Sequence, residues 1–266
     1  MLKLFATDLD GTLLQHNKGG NNIDKKDFEA IEDLVQSDVH FAIATGRMDR
    51  DIVEVLKHLN QSGHRISQNG GFVYDHQGQL VHSQTFSGEL SKRLHTEIAK
   101  HTKLYCVTTE DDAFVTEKTG LIRAFEHLMY FPLKEGVDFI DEYGTTLHPT
   151  KFIVIGETDE ILGHQKVLME QFSGEAESYL SDNHCVDIVP KGISKADGLS
   201  HLMKHLDMAP DEIAVIGDSF NDVPMLEMTP YSYAMSTAHP DVQKKASKVV
   251  DYVYEAIEDL RAQKLF

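Results

Sequence analysis

Three short segments of this 266-residue chain are almost continuously apolar, and each one stops at a cluster of polar residues. They are residues 2–9, 39–44 and 213–216. Apolar runs of this length are typical of strands that are buried on both faces of a sheet. A helical repeat of apolar residues accompanies each run, so the sequence predicts strands that alternate with helices. Such alternation favours an α/β fold with a Rossmann-like parallel sheet.

Signals for helix ends support this alternation. Behind the first strand a helix is predicted to start at Asp24, where Asp27 three residues on gives a pattern like a capping box with Asp in place of Glu. Before the third strand a stripe of apolar residues predicts a helix that Ser194 could cap. Right-handed crossovers would put the carboxyl ends of all the parallel strands at one edge of the sheet, where such sheets bind ligands.

The middle of the chain, residues 82–186, has a different pattern of strands and helices. Two strand-like segments flank a polar run and predict a hairpin. We therefore expect an inserted α+β domain of residues 82–186 within an α/β domain of residues 1–81 and 187–266. The elements predicted in and next to this insertion are a helix around residues 90–98, strands at 103–108, 113–116 and 151–155, a helix at 161–172, and a strand pair at 176–180 and 185–189.

The charge and composition exclude several classes of partner. A formal net charge of −18 would repel nucleic acid and anionic membrane surfaces. No segment approaches the roughly 18 to 20 consecutive apolar residues that a membrane helix needs, and Asp8 comes before a signal-peptide core could form. Cys106 and Cys185 lack the spacing of a disulfide framework or zinc site. We therefore expect a soluble, cytoplasmic protein without nucleic-acid or membrane partners.

Acidic residues follow the first and the third predicted strands. Asp8 and Asp10 lie at the end of the first, and residues two apart on a strand point to the same side of a sheet. Asp218 and Asp222 follow the third strand, and four carboxylates that converge in this way offer the oxygen ligands that Mg²⁺ prefers. Taken alone, the Asp10-Gly11 pair would be interpreted as a simple turn.

Other residues near these strand ends could hold a phosphate group. Backbone N–H groups at Gly11 and Thr12 could face an anion, and Thr45-Gly46 could repeat that arrangement at the neighbouring strand end. Thr45 could equally be the N-cap of the following helix. Arg47 could make paired hydrogen bonds to phosphate, although a solvated surface arginine is more common.

A lysine could offset the excess of carboxylates and stabilise the phosphoryl oxygens. Lys195 lies at the start of the helix that leads to the third strand, and Lys191 is an equal candidate on spacing alone.

Taken together, these segments resemble the four ordered motifs of the haloacid dehalogenase superfamily, in its Cof-type sugar-phosphatase branch. The Asn69-Gly70-Gly71 run is similar to an Asn-Gly element of that branch. The inserted domain falls where the branch has its large cap, and the resemblance spans nearly the whole chain. The four motifs read Asp8-Leu9-Asp10-Gly11-Thr12, Thr45-Gly46-Arg47, Lys191-Gly192-Ile193-Ser194-Lys195 and Gly217-Asp218-Ser219-Phe220-Asn221-Asp222.

This resemblance implies a phosphatase that uses Mg²⁺ and an aspartyl-phosphate intermediate. Asp8 would be the nucleophile, and Asp10 would be the general acid and base, with its backbone carbonyl on the metal. Thr45 would hydrogen-bond the phosphoryl group, and Lys195 would pair with that group and with Asp8.

The resemblance also implies a metal site and a set of residues that bind substrate. Asp8 and Asp218 would be direct ligands of Mg²⁺, and Asp222 would bind the ion or its water. The substrate would be a small phosphorylated metabolite, by default a sugar phosphate, with flavin or pyridoxal phosphates as alternatives. The residues expected to contact it are Gly11, Thr12, Gly46, Arg47, Asn69 and Asn221; the basic candidates in the cap are Arg123, His127, Lys134, His148 and Lys151.

Two segments depart from the pattern of the family. Ser236-Thr237-Ala238 stands where the family usually has Gly-Asn-Ala, and residues 251–256 replace an Asn-Asp-x-Asp-Gly-Val stretch. Neither segment supplies the chemistry in the family, so we expect them to change the rim of the site and leave its activity intact.

Three alternative functions stay open at this point. A phosphomutase or another phosphotransferase would share the nucleophile but pass the phosphoryl group to a sugar hydroxyl. A response-regulator-like switch is disfavoured, because receiver domains are about half this length and carry the phospho-acceptor on a later strand than the acidic pair. A non-catalytic ligand-binding relative would have little reason to keep Asp8, Asp10, Lys195 and Asp218 together.

Overall fold

The computed structural model describes residues 1–15, 22–126 and 130–266. They form two compact units, a core unit of Met1–Ser83 with Ser194–Phe266 and an inserted unit of Gln84–Ile193. The strands in chain order are β1 Leu4–Thr7, β2 His40–Ala44, β3 His64–Ser67, β4 Phe72–Tyr74, β5 Leu80–Ser83, β6 Tyr105–Thr108, β7 Ala113–Val115, β8 Lys134–Glu135, β9 Lys151–Ile155, β10 Ala176–Asp182, β11 Cys185–Pro190, β12 Ile213–Gly217, β13 Tyr231–Met235 and β14 Lys248–Val250. The helices are α1 Lys25–Gln36, α2 Asp49–His58, α3 Gly88–His101, α4 Gly120–Glu126, α5 Thr158–Gln171, α6 Lys195–His205, α7 Val223–Leu226, α8 Pro240–Gln243 and α9 Val253–Ala262.

The core unit is built on an eight-stranded sheet with the order β14-β13-β12-β1-β2-β3-β4-β5. The strands from β14 to β3 run parallel to their neighbours, and β4 and β5 add two antiparallel strands at one edge. The parallel α/β core predicted from the sequence is therefore confirmed. The strands β12, β1 and β2, whose ends carry the predicted motifs, are adjacent in this order.

Apolar clusters cover both faces of this sheet. Phe5 packs into a cluster with residues of α1, α2 and α9, whereas Leu4 and Ala6 pack into a second cluster with residues of α6, α7 and α8. Side chains alternate between the two faces along a strand. Because both faces of β1 are buried, its sequence is continuously apolar.

The helix caps agree with the sequence at two positions and differ at a third. Asp24 accepts a hydrogen bond from the N–H of Lys26 at the start of α1, and Ser194 accepts one from the N–H of Asp197 at the start of α6. The capping-box interpretation of Asp27 is wrong. Its buried side chain instead accepts a hydrogen bond from the backbone N–H of Tyr254 at 2.7 Å, which ties α1 to α9.

The inserted unit contains a six-stranded sheet with the order β10-β11-β9-β6-β7-β8. The predicted hairpin is β6 with β7, and the predicted strand pair is β10 with β11; both are antiparallel. Residues of α3 and α5 pack with this sheet in a core of their own. The unit ends at residue 193 and not at the expected residue 186, because β11 stays paired with β10 and β9 through Pro190 and Ile188.

Among the described residues, the longest helices, α3 and α5, have 14 residues each. No helix in that part of the chain has the length and apolar character needed to span a membrane.

Candidate active site

The polar residues predicted to meet at one sheet edge follow three adjacent strands of the core unit. Asp8 comes directly after β1, Thr45 directly after β2, and Asp218 directly after β12. In the parallel ladders Thr7 is in register with Ile216 of β12 and with Ile43 of β2, so the three strands end at the same level. The predicted convergence of these loops is therefore seen in the structure.

A buried lysine connects two of the acids. Nζ of Lys195 donates hydrogen bonds to Oδ1 of Asp8 at 2.5 Å and to Oδ1 of Asp222 at 2.7 Å. The side chain of Lys195 is 2% exposed, because the Ser194 cap starts α6 at a point where its first residue faces the acids. Lys191 is exposed on the surface of the inserted unit. The structure thus places Lys195, and not Lys191, among the carboxylates.

Two carboxyl groups of this cluster, those of Asp8 and Asp218, have raised pKa values. Burial raises the pKa of Asp8, and although Lys195 lowers it, Asp222 and Asp218 keep it well above the ordinary range. The pKa of Asp218 is raised to about 6, chiefly by burial and by Asp222. Burial lowers the pKa of Lys195, but Asp222 and Asp8 outweigh it, so its net pKa is raised and it stays protonated. The site therefore holds more negative charge than one lysine neutralises.

Three carboxylates are arranged so that they could hold a metal ion. Asp8, Asp218 and Asp222 each offer an oxygen, and these oxygens lie within 4.8 Å of one another. An oxygen-only ligand set with surplus negative charge fits a hard divalent cation such as Mg²⁺. Oδ2 of Asp222 accepts hydrogen bonds from the N–H groups of Asp218 and Ser219, and its Oδ1 accepts from Lys195. These bonds fix the loop, so Asp222 fits a positioning role better than that of a direct ligand.

The first motif supports this cluster in a way that differs from the expectation. The N–H of Gly11, expected to face an anion, donates to the carbonyl of Leu14 at 2.9 Å. The hydroxyl of Thr12 donates to Oδ1 of Asp218 at 3.3 Å. Gly11 has a φ of +82°, and a Cβ at this position would lie 2.3 Å from Oδ2 of Asp218. In this structure the two residues therefore make room for Asp218 and orient it.

Asp10 lies outside the carboxylate cluster. The strand β1 ends at Thr7, so the alternation expected to put Asp8 and Asp10 on one side of a strand does not apply beyond it. The guanidinium of Arg47 donates from Nε to Oδ2 of Asp10 at 2.7 Å and from Nη2 to its Oδ1. Arg47 was predicted to bind phosphate or to be solvated, but here it makes a bidentate pair with Asp10, whose side chain is 39% exposed.

Thr45 does not cap a helix. The N-cap of α2 is Met48, and the helix begins at Asp49. The buried hydroxyl of Thr45 instead accepts a hydrogen bond from the N–H of Arg47 at 3.2 Å. This short turn lies directly after β2, at the same sheet edge as Asp8, which follows the neighbouring strand β1.

Asn69 connects two of the loops. It is buried, and it has a φ of 59°, a left-handed conformation that asparagine tolerates better than most residues. Its Oδ1 accepts from Nδ2 of Asn221 at 3.2 Å, and a Cβ on Gly46 would lie 3.3 Å from the same oxygen. The predicted substrate residues Gly46, Asn69 and Asn221 are therefore brought together, and they contact one another.

Two features of this edge were not found from the sequence. A Cβ on Gly217 would lie 2.4 Å from the carboxyl carbon of Asp222, so only glycine lets that side chain fold back under the loop. Phe220 is 55% exposed in the turn between Asp218 and Asp222, with its ring 5.3 Å from that of His239. A single apolar residue within the polar run of residues 217–222 was the only signal of this exposed aromatic group.

The basic candidates of the inserted unit that the structure describes differ in burial. His127 lies outside the described residues. Lys151 is buried, and its Nζ pairs with Oδ2 of Asp187 at 2.8 Å. The remaining candidates are exposed: Arg123, Lys134 and His148.

Comparison with known proteins shows which proteins this chain resembles over most of its length. A family model of haloacid dehalogenase-like hydrolases matches residues 5–257. A relative from Yersinia pseudotuberculosis named HMP-PP phosphatase is 28% identical over 249 residues, 92% of this chain and 88% of the relative.

Two solved structures share the fold. A haloacid dehalogenase-like hydrolase from Bacteroides thetaiotaomicron matches with a TM-score of 0.84 and 24% identity, covering 98% of this chain and 100% of the other. BT1666 from the same organism, described among the phosphatases of the haloalkanoate superfamily, matches with a TM-score of 0.82 and 22% identity, covering 100% and 96%. The predicted fold class is confirmed.

Proposed function

The chain belongs to the haloacid dehalogenase-like hydrolases, as its motifs predicted, and is a phosphatase; we propose that it hydrolyses a small phosphorylated metabolite with Mg²⁺ through an aspartyl-phosphate. The observation that carries this proposal is the buried group of Asp8, Lys195 and Asp222, with Asp218 beside it. A nucleophilic carboxylate, a fixed cation and an oxygen-rich metal site are the parts that phosphoryl transfer requires.

Asp8 and Asp218 would hold the Mg²⁺, and Asp222 would orient Asp218 and Lys195. When bound, the ion supplies positive charge that offsets the negative charge of these two carboxylates and of the phosphoryl oxygens. This ligand set fits the structure because its oxygens already lie within 4.8 Å of one another. The Asp10 carbonyl, a ligand implied by the family, stays a prediction.

In the first half-reaction an oxygen of Asp8 forms a bond to phosphorus while the bond from phosphorus to the leaving oxygen breaks. Asp10 gives its proton to that oxygen. In the second half-reaction Asp10 takes a proton from water as the water oxygen attacks phosphorus, and the bond to Asp8 breaks. Throughout, Lys195 keeps its proton and stabilises charge on Asp8 and on the phosphoryl group.

The loops at the ends of β2 and β3 would position the substrate. The hydroxyl of Thr45 can turn from its local hydrogen bond to the phosphoryl group, and the pair of Asn69 and Asn221 sets the separation of two loops. Arg47 holds Asp10 by both carboxylate oxygens, so it would orient the general acid. Gly11 and Thr12 then contribute mainly by positioning Asp218.

We assign catalysis to the core unit and the choice of substrate to the inserted unit. Because relatives at 28% identity are named HMP-PP phosphatase, HMP-PP is the first substrate to test, followed by sugar, flavin and pyridoxal phosphates. The two cysteines are not joined in a disulfide, as in proteins of a reducing compartment, which supports the cytoplasm as the location.

The nucleophile is tested by the substitution Asp8→Asn. We expect hydrolysis of p-nitrophenyl phosphate to fall by roughly a thousandfold or more, as when a covalent nucleophile is removed, while the circular dichroism spectrum stays unchanged. Asp211→Asn is a matched control, because Asp211 is exposed in a turn that precedes β12. Full activity in the Asp8 variant would refute the proposal.

The metal is tested by removing it. Activity should be lost after dialysis against EDTA and recovered with Mg²⁺, and the product should be inorganic phosphate. Activity that survives thorough metal removal would count against the carboxylate site. An isomeric sugar phosphate in place of free phosphate would identify a phosphomutase.

A further inference from the structure

Three histidines from separate parts of the sequence meet at the opposite edge of the core sheet. His40 is the first residue of β2, His64 is the first residue of β3, and His76 lies in the turn between β4 and β5. Each offers a ring nitrogen, and these three nitrogens lie within 4.8 Å of one another. His40 and Thr45 are at opposite ends of one strand, which at ~3.3 Å per residue separates them by about 16 Å. This cluster is therefore distinct from the carboxylate site.

We propose that His40, His64 and His76 form a binding site for a transition-metal ion of the Zn²⁺ class. Imidazole nitrogens suit zinc, copper and nickel, whereas magnesium prefers oxygen. Three histidines with water as a fourth ligand are a common zinc coordination set. The proposal is independent of the phosphatase activity.

The distances and ring orientations are close to what such a site needs. Nε2 of His64 lies 3.0 Å from Nδ1 of His40. Two nitrogens bound to one tetrahedral zinc at about 2.0–2.1 Å are separated by about 3.3 Å. The three ring planes are tilted from one another by 49°, 59° and 73°, so in-plane lone pairs can converge on one point. His76 is exposed in a turn, so its side chain can rotate toward an ion.

A carboxylate next to the cluster can balance the charge of the ion. Asp75 is 5% exposed, and its Oδ1 accepts hydrogen bonds from the backbone N–H groups of Gln77 and Gln79. Its Oδ2 lies 3.8 Å from Nε2 of His205, a fourth imidazole at the end of α6.

A second histidine group serves as a control and not as a rival site. His82, Asp197 and His201 also bring ligand atoms together, but the two imidazole rings are stacked 3.6 Å apart with only 8° between their planes. The in-plane lone pairs of stacked rings run side by side and do not meet at one ion.

The test measures Zn²⁺ binding to the full-length chain after treatment with EDTA, in excess Mg²⁺ so that the carboxylate site is saturated. A chromophoric chelator competes for zinc, and Co²⁺ reports tetrahedral coordination by its visible absorption. We expect one equivalent of zinc per chain in the wild type. His76→Ala and His40→Ala should weaken binding by more than the ~10- to 100-fold that loss of an outer-shell partner costs.

Matched variants separate this site from the others. His201→Ala and Asp218→Asn should bind zinc like the wild type. Zinc should raise the melting temperature of the wild type and of His201→Ala but not that of His76→Ala; because His76 is exposed, its variant is expected to fold, which circular dichroism checks. Unchanged zinc affinity in both His40→Ala and His76→Ala, or loss of the zinc equivalent in Asp218→Asn or His201→Ala, would overturn the proposal.

Discussion

Lys195 is the single cation among three buried or half-buried carboxylates of the described active site, and replacing it with methionine tests what holds that cluster together. Methionine keeps the apolar stem and much of the volume of lysine but carries no charge. The variant removes two hydrogen bonds, to Asp8 at 2.5 Å and to Asp222 at 2.7 Å. Asp8, Asp222 and Asp218 then stay within reach of one another without a compensating charge.

The size of the effect follows from burial. Lys195 and Asp222 are 2% and 0% exposed, so solvent screens their interaction very little. Removing one partner of a buried ion pair costs about 3–5 kcal/mol, because the other partner is left charged and desolvated. We expect Lys195→Met to lower the free energy of unfolding of the core unit by about this amount in metal-free buffer. Part of the loss is relieved by proton uptake on Asp8, whose pKa burial already raises.

The assay is urea unfolding followed by circular dichroism, with Lys191→Met as the matched control. Lys191 is exposed, so its variant should stay within about 0.5 kcal/mol of the wild type. Added Mg²⁺ should stabilise Lys195→Met more than the wild type, since the variant lacks the internal cation, yet phosphatase activity should stay low. If both lysine variants unfold at the same urea concentration, the reasoning from burial and charge is refuted.

Three further outcomes are expected. Gly11→Ala should lower the free energy of unfolding in urea by about 1–3 kcal/mol, because it strains a φ of +82° and directs a methyl group at Asp218. Gly163→Ala, in open space on a helix, is the control and should stabilise the protein. Equal effects of the two substitutions would contradict this role of Gly11. Burial lowers the pKa of His95, so the folded protein binds fewer protons there than the unfolded chain and loses stability as the pH falls below about 6.5, by up to about 1.4 kcal/mol per pH unit. His95→Gln should therefore reduce the dependence of the unfolding free energy on pH between pH 7 and pH 5. An unchanged pH dependence would show that the ring is not held neutral. Asp10→Asn should lower kcat by about 10²- to 10⁴-fold on an alkyl phosphate and by less on p-nitrophenyl phosphate, whose leaving group needs no proton. Equal losses of kcat on the two substrates would argue against Asp10 as the general acid.

The sequence determined the elements in which periodicity and burial agree. Residues 2–9 are apolar on both faces because β1 lies in the middle of the sheet, between two layers of helices. The cap at Ser194 could also be predicted, since capping depends on neighbours only three residues away. Because parallel strands end at one edge, the sequence further predicted that Asp8, Thr45 and Asp218 meet.

Contacts between loops could not be predicted in this way. Asp10 and Arg47 are 37 residues apart, and their pairing depends on how the turns after β1 and β2 face each other. The pair of Asn69 and Asn221 depends likewise on a left-handed backbone at Asn69.

The motif Asp8-Leu9-Asp10-Gly11-Thr12 by itself determined that two acids and a turn follow a buried strand. Only the tertiary structure decided that Asp8 lies against Lys195, that Asp10 is held by an arginine instead, and that three histidines gather at the far edge of the same sheet. The physical reason is that the spacing of residues along the chain determines local conformation only. The partner of a buried charge depends on the order of the strands in the sheet and on which helix end packs next to that charge.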